Sequence, residues 1–394
     1  MPTPPELELL LACAGPAPDS GSLSRIRRLL AGPLDWEFLL RSACWHGLVP
    51  FLHHNLSPHF AEAVPAHVAE QLRLDFESVA RANLALTAEL LRILALFEAH
   101  SIIAIPLKGP ALAAFLYANV AFRQSVDLDI LVAPQHLPAA KQLLLSEGYQ
   151  MALRLNPAQE SVHLQNDCNY AFVSLDGRCP IEIHWQIVPR YFSVAFETAS
   201  FWRRLGSVSL GQKSVPMFSP EDLLLVLSVH GTKHCWERLS WICDVAALIR
   251  RCPELDWDLA ARRAQELGAA RILRLGLYLA HHLLEVELPP QAVKAITADR
   301  ALQPLGQEVL RSLANIGLKE PGIRERGWFF LRTRERWSDR IRYVLRFAWT
   351  PTPGDWSFVT LPDRLFALYP ILRMVRLAGK YGFGSWRRPG RERR

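Results

Sequence analysis

The sequence predicts an α+β protein: a small mixed sheet with helices, flanked by N-terminal and C-terminal helical regions. Three observations lead there. Apolar residues recur at three- and four-residue spacing through the first hundred residues and again from Ser219. Between those stretches, short β-branched runs alternate with helical text. From Arg324 onward, arginines mix with Trp, Phe, Tyr and Leu. The boundaries that follow are 1–100 for a helical N-terminal region, 101–218 for the sheet-bearing domain, 219–300 for a helical domain and 301–394 for a basic, aromatic-rich helical region.

In chain order, "DWEFLLRSACWHGLVPFLHHNL" and "LRLDFESVARANLALTAELLRILALFEAH" carry helical spacing, punctuated by Pro50, Pro58 and Pro65. The pattern changes at Ser101. "IIAIPLKG" is a strand ending at Gly109, and Pro110 stands at the start of the helix "PALAAFLYA". "SVDLDILV" is the next strand, and "PQHLPAAKQLLLSEGYQ" a helix closed by Gly148. "NYAFVSL" and "PIEIHWQIV" flank "DGRC", whose Asp-Gly pair favours a hairpin turn. Residues 100–190 therefore read β-α-β-α-β-β, with helices on one side of the sheet. Ser219 caps a helix that Pro220 opens, with Asp222 at its third position, and helical text runs on to Cys252-Pro253.

The 394 residues are half hydrophobic and 21 % charged, an ordinary globular balance that needs no covalent staples. The net charge of +7 is unevenly spread. Residues 323–394 hold 16 Arg and one Lys against six acids, a net of +11, which leaves about −4 on the first 322. The seven cysteines are odd in number and none has C-x-x-C spacing, so free thiols in a reducing cytosol are expected. The N-terminus has no basic segment before its short apolar run and reads poorly as a signal peptide. No uncharged apolar stretch is long enough to span a bilayer. A cytoplasmic protein is expected.

The chemistry concentrates in "VDLDILV". Asp127 and Asp129 lie two apart in a strand, so they share a face, about 7 Å apart along the chain. Like charges at that distance repel, and burial makes ionisation costlier. A hard divalent cation such as Mg²⁺ reverses that balance. Glu182, alternating with Ile181 and Ile183, offers a third carboxylate if its strand lies beside "VDLDILV". The plain alternative is that D-x-D marks a half-exposed strand with a solvated face. Lys108 and Gly109, between strand and helix, suit a phosphate near free backbone N–H groups; an ordinary turn with a solvent-facing lysine reads the same text. G-x-x-x-x-G-K-[ST], G-x-G-x-x-G and G-x-S-x-G are all missing, so P-loop, Rossmann and α/β-hydrolase chemistries have no support.

"LKGPALAAFLYANVAFRQSVDLDILV", "IEIHWQI" and "HGTKHCWERLSWICDVAAL", with "LLRSACWHGLVPFLHHNL" before them, resemble the bacterial family called uncharacterised nucleotidyltransferases, within the polymerase-β-like superfamily. The resemblance covers roughly residues 35–250. The superfamily carries Gly-Ser where this chain has Gly109-Pro110, and a shorter gap before its acids. The resemblance implies a minimal nucleotidyltransferase sheet and transfer of a nucleoside monophosphate from an NTP to a hydroxyl acceptor. Asp127, Asp129 and Glu182 would be the catalytic carboxylates and hold two Mg²⁺ ions. Lys108, Gly109, Arg123 and His184 would bind the nucleotide. Members of this family often accompany exopolysaccharide gene clusters, which implies such a role here.

His230 and His234 stand four apart, but Gly231 occupies the position where the metalloprotease motif needs Glu, so zinc is disfavoured. With Trp236 and Asp244 they are assigned by the resemblance to the helical wall of the cleft, where base stacking, phosphate contact, core packing and capping all remain open. "RTRERWSDRIRYVLRFAW" is a basic amphipathic helix suited to a packed subdomain, to peripheral contact with the inner membrane surface, or less well to nucleic acid. Two other readings compete with the enzyme: a non-catalytic nucleotide-binding or scaffold protein of a polysaccharide assembly system, and a nucleic-acid-binding protein.

Overall fold

A computed structural model describes residues 3–174, 177, 179–194, 196–315, 322–359 and 361–381. The chain is α+β, 64 % helical, with a mixed five-stranded sheet and helical regions at both ends. The N-terminal region holds α1 (Pro5–Ala12), α2 (Ser20–Leu30), α3 (Trp36–His46), α4 (Val49–Leu56) and α5 (Ala66–Ala99). Asp19 and Asp35 cap α2 and α3 by accepting from Ser22 N and Phe38 N, and Gly47 closes α3 in the left-handed conformation. The 34 residues of α5 give a rod about 50 Å long.

The sheet-bearing part runs β1 (Ala104–Pro106), α6 (Gly109–Tyr117), β2 (Leu128–Val132), α7 (Leu137–Ser146), β3 (Gln150–Met151), α8 (Pro157–Asn166), β4 (Asn169–Val173) and β5 (Pro180–His184). Strand order is β1-β2-β5-β4-β3. β2 pairs parallel with β5, and β1–β2, β5–β4 and β4–β3 pair antiparallel. Side-chain alternation splits this sheet into two faces. Leu128, Ile130 and Val132 join Ile181 and Ile183 in a core covered by Leu90, Ile93 and Phe97 of α5. On the other face, Ile105 and Leu131 enter the larger core of the helical regions.

Two elements differ from the sequence expectation. Between α7 and β4 the chain adds β3 and α8. The α8 text "PAQESVHLQN" buries only His163, so it shows little helical periodicity, although Asn156 and Gln159 form a complete capping box at its start. The continuous helical text after Ser219 is two helices, α10 (Pro220–Lys233) and α11 (Leu239–Arg251), following the short α9 (Thr198–Phe201) and the hairpin β6 (Gly206–Leu210)–β7 (Lys213–Met217). The break comes where Cys235 and Trp236 both take positive φ, 53° and 55°, which local spacing does not reveal. Ser219 caps α10 as expected, accepting from Asp222 N. β4 and β5 pair antiparallel as expected, but Asp176 and Arg178 of the "DGRC" turn lie outside the described residues, as does the tail "WRRPGRERR".

The remaining helices are α12 (Trp257–Glu266), α13 (Ala270–Leu284), α14 (Pro290–Ala298), α15 (Leu302–Ala314), α16 (Ile323–Arg332), α17 (Trp337–Trp349), α18 (Pro353–Phe358) and α19 (Tyr369–Tyr381). Among the described residues no cysteine forms a disulfide. Among the described residues no helix is long and apolar enough to cross a membrane.

Candidate active site

The parallel pairing of β2 with β5 sets Asp129 opposite Glu182. Their side chains, with that of His184 two residues on, leave the sheet on the face away from the α5 core. Ligand-capable atoms of these three residues lie within 4.8 Å of one another, the one such trio among the described residues. His184 ties it together: Nε2 lies 2.9 Å from Asp129 Oδ1 and 3.2 Å from Glu182 Oε2, while Nδ1 faces the Gln186 carbonyl at 3.3 Å. Asn169 of β4 donates to Glu182 Oε2 as well. Burial alone would lower the His184 pKa, yet its bonds to Asp129, Cys168 and Glu182 carry it well above the ordinary value.

Asp129 is buried and charged. Burial would raise its pKa, but Lys108 and His184 outweigh that and hold it well below the usual carboxylate range. Lys108 Nζ lies 2.9 Å from Asp129 Oδ2. Beyond this ion pair the buried oxygen takes no hydrogen bond of good geometry. Asp127 stands one residue before β2, outside the tight trio but lining the same cleft. Burial and the neighbouring Asp129 charge raise its pKa.

Lys108 occupies the N-cap of α6 and Gly109 follows at φ 70°. A Cβ at Gly109 would meet only ordinary contacts, 3.7 Å from the Asp127 carbonyl, so the left-handed backbone is what favours glycine here. The turn brings Gly109, the first residue of α6, into the same cleft as the acids.

Arg123 is committed elsewhere through Nε, which donates to both oxygens of Asp244 at 3.1 and 3.0 Å. Tyr117 donates to Asp244 Oδ1 at 3.0 Å. The guanidinium thus anchors the loop before the acids to α11 while still lining the cleft. Asn83, in the middle of α5, holds the same loop: its amide donates to the carbonyls of Val120 and Arg123 and accepts from Ser125 N.

The cleft has a volume of about 450 Å³. Opposite the acids stand Trp45, His230, Lys233, His234, Arg238, Trp241 and Arg326, the last paired with Glu237 of the same wall at 3.3 Å. The rings of His230, His234 and Trp241 lie 4.8–5.2 Å apart by centroid. Burial keeps both histidines neutral, His234 at about 3 and His230 well below its ordinary value. No third ligand gathers around them among the described residues. Trp236 does not face the cleft: it is fully buried, its ring lying against Gly231 and Gly276, and its Nε1 donates to Thr232 Oγ1. Sequence reasoning missed Trp45, Lys233, Arg238, Arg326 and Asn83. Lys233 and Arg238 lie within "HGTKHCWERLSW", but only the turn at Cys235-Trp236 swings both to one wall. Arg326 is too distant in sequence to be assigned without the fold.

A parallel strand pair bearing acids, a lysine at a helix start and basic residues across the cleft are brought together in one site. A family model described as an uncharacterised nucleotidyltransferase matches residues 32–285, and the chain belongs to that family. Neither the curated proteins nor the solved structures contain a match.

Proposed function

We propose that this protein is a polymerase-β-like, divalent-metal-dependent enzyme that moves a nucleoside monophosphate from an NTP to a hydroxyl acceptor. The observation that carries the reading is the Asp129–Glu182 register across β2 and β5, with Lys108 against the same cluster. A hard cation fits these residues. Asp127, Asp129 and Glu182 offer oxygen donors, and Asp129 Oδ2 is a buried acceptor without a directed hydrogen bond. Those three carboxylates would hold Mg²⁺, which when bound supplies charge stabilisation to the attacking and departing oxygens.

The chain's own groups do the rest. Lys108 releases Asp129 and pairs with a phosphate oxygen, and the Gly109 N–H approaches the same phosphates, Pro110 after it having none to offer. Lys233, Arg238 and Arg326 give the opposite wall its positive charge. His184 and Asn169 fix Glu182 so that its carboxylate keeps one direction. The acceptor oxygen bonds to the α-phosphorus, the bond to the bridging oxygen breaks and pyrophosphate leaves. The acceptor proton passes to a carboxylate of the cluster. A cytoplasmic location and an acceptor from exopolysaccharide assembly accord with the family resemblance.

A second reading has its own support. Asp129 is already neutralised by Lys108 and His184, as suits a non-catalytic nucleotide-binding scaffold. One experiment separates them: incubation with each α-labelled NTP, Mg²⁺ and cell extract. Transfer of label that is lost in Asp127→Ala and Asp129→Ala, both still folded, is the expected result. Nucleotide binding without transfer from any NTP would overturn the enzymatic reading.

A further inference from the structure

The C-terminal helices carry a second apolar face, away from the cleft and unused by the proposed chemistry. The inner face of α17 is already satisfied, with Tyr343 buried and stacked on Phe347 at 5.8 Å. Its outer face shows Trp337, Ile341, Val344, Leu345 and Trp349, each between 48 and 73 % exposed. These positions follow i, i+4, i+7, i+8 and i+12, a single stripe on a helix of about 3.6 residues per turn. Trp328 and Leu331 of α16 extend the stripe across a groove of about 370 Å³. On the other side, Leu345 and Trp349 line a second groove with Phe366 and Pro370, and Ile371, Met374 and Val375 of α19 are exposed in turn. An apolar surface of this extent on a folded chain marks a contact.

Charge identifies the occupant. At helical spacing Arg340 and Arg342 fall on opposite flanks of the stripe, and the Arg340 guanidinium lies over the Trp337 ring at 4.9 Å from its centroid. Residues 322–381 hold eleven Arg and one Lys against five acids. Three of those acids are consumed within the fold. Asp355 is buried between Arg373 and Arg376, Asp339 is buried beside Arg342, and Glu335 pairs with Arg274. The same pairs occupy Arg342, Arg373 and Arg376, and it is the net charge of +7 (12 − 5) that leaves this segment positive. A second copy of the same face would bring two arginine rims together. A nucleic acid would satisfy the rims but leave the aliphatic stripe against phosphates. An anionic bilayer satisfies both, taking the tryptophans at its interface and the arginines at its headgroups.

We propose that α16, α17 and α19 dock this protein on an anionic lipid surface as a peripheral, non-spanning contact. α16 also carries Arg326 into the cleft, so the docking face and the basic wall share one helix. The inference stands apart from the nucleotidyltransferase reading, and its test needs no activity.

The test is flotation of the full chain with vesicles of phosphatidylcholine alone or with about one third phosphatidylglycerol, at low and high salt. Binding to the anionic vesicles that weakens with salt is expected. Each basic residue near such a surface contributes roughly five-fold, so Arg340→Gln with Arg342→Gln should lower the partition coefficient about 25-fold. Trp337→Ser with Ile341→Ser should lower it at least about ten-fold. Trp337 and Ile341 are exposed, so their variant keeps the wild-type melting curve; Arg340 donates to the Arg334 carbonyl and Arg342 pairs with Asp339, so the arginine variant is compared below the onset of its own melt. Three results would overturn the proposal: no flotation with anionic vesicles, equal binding to neutral vesicles, or binding unmoved by both variants. A concentration-dependent dimer abolished by the same substitutions would assign the face to a second copy, and salt-sensitive binding of RNA or DNA without vesicle binding would assign it to nucleic acid.

Discussion

Asp244→Asn tests how the loop before the acids is held. Asp244 is buried at 1 % side-chain exposure and Arg123 at 10 %, with no other acid paired to that guanidinium among the described residues. The substitution keeps shape and one acceptor but removes the countercharge. Breaking a buried pair by losing one partner costs about 3–5 kcal/mol. One charge-assisted bond of about 1.5–3 kcal/mol is lost outright, and a neutral one survives in weakened form. A loss of about 3 kcal/mol follows, a large share of the roughly 5–15 kcal/mol that holds a domain together. Urea unfolding at pH 7, followed by the fluorescence of the 12 tryptophans, measures it. Replacing both partners, Arg123→Leu with Asp244→Leu, should recover at least half of the loss, because no uncompensated charge remains. A change below 1 kcal/mol in Asp244→Asn would refute the anchoring role and return Arg123 to the phosphate-binding role expected from the sequence.

Three further predictions follow the same geometry. Gly231→Ala places a Cβ 2.5 Å from ring atoms of the fully buried Trp236, which Gly276 hems in from the other side; overpacking of about 3 kcal/mol exceeds the helix-propensity gain of about 1 kcal/mol, so a melt that is unchanged or higher contradicts the packing. His46 accepts from Leu239 N through Nδ1 and meets the Leu313 carbonyl through Nε2, so protonation would set two donors face to face. Burial puts its pKa at about 4 in the fold, below the unfolded 6.5. The unfolded chain then binds the proton first, and stability falls between pH 6.5 and 4, by about 2 kcal/mol at pH 5; His46→Gln should flatten that part of the unfolding free energy against pH, and an unchanged slope would count against it. Lys108→Met removes the cation beside Asp129, where unit charges at contact interact by roughly 4 kcal/mol at protein-like dielectric. Divalent-metal affinity by calorimetry should rise at least about ten-fold while nucleotide affinity falls, and weaker metal binding would contradict the competition.

The acids were legible because their signal is local: two residues apart in a strand, with a third alternating between isoleucines. The sheet side of Glu182 was not local, since it depends on β5 lying parallel beside β2 after a long excursion. His184 was expected near the nucleotide, yet it bridges Asp129 and Glu182, a position set by the same register. Asp127, the first acid of the motif, stands outside the tight trio because β2 begins one residue later. The α8 helix stayed hidden since it is amphipathic toward almost nothing, and the α10–α11 break because its cause is backbone conformation at two residues with no glycine to announce it. The apolar stripe of α17 was visible as helical spacing, but only the fold separates the inward side from the outward one.

The long α5 helix enters both hydrophobic cores, with Val68 and Leu72 in one and Leu86 through Phe97 in the other. Asn83 sits between the two groups and grips the strap that delivers the carboxylates. The platform beneath the acids is thereby braced from behind by a member that cannot shorten. Damage at the midpoint of that helix, which never touches a ligand, would be felt at the carboxylates before it was felt in either core.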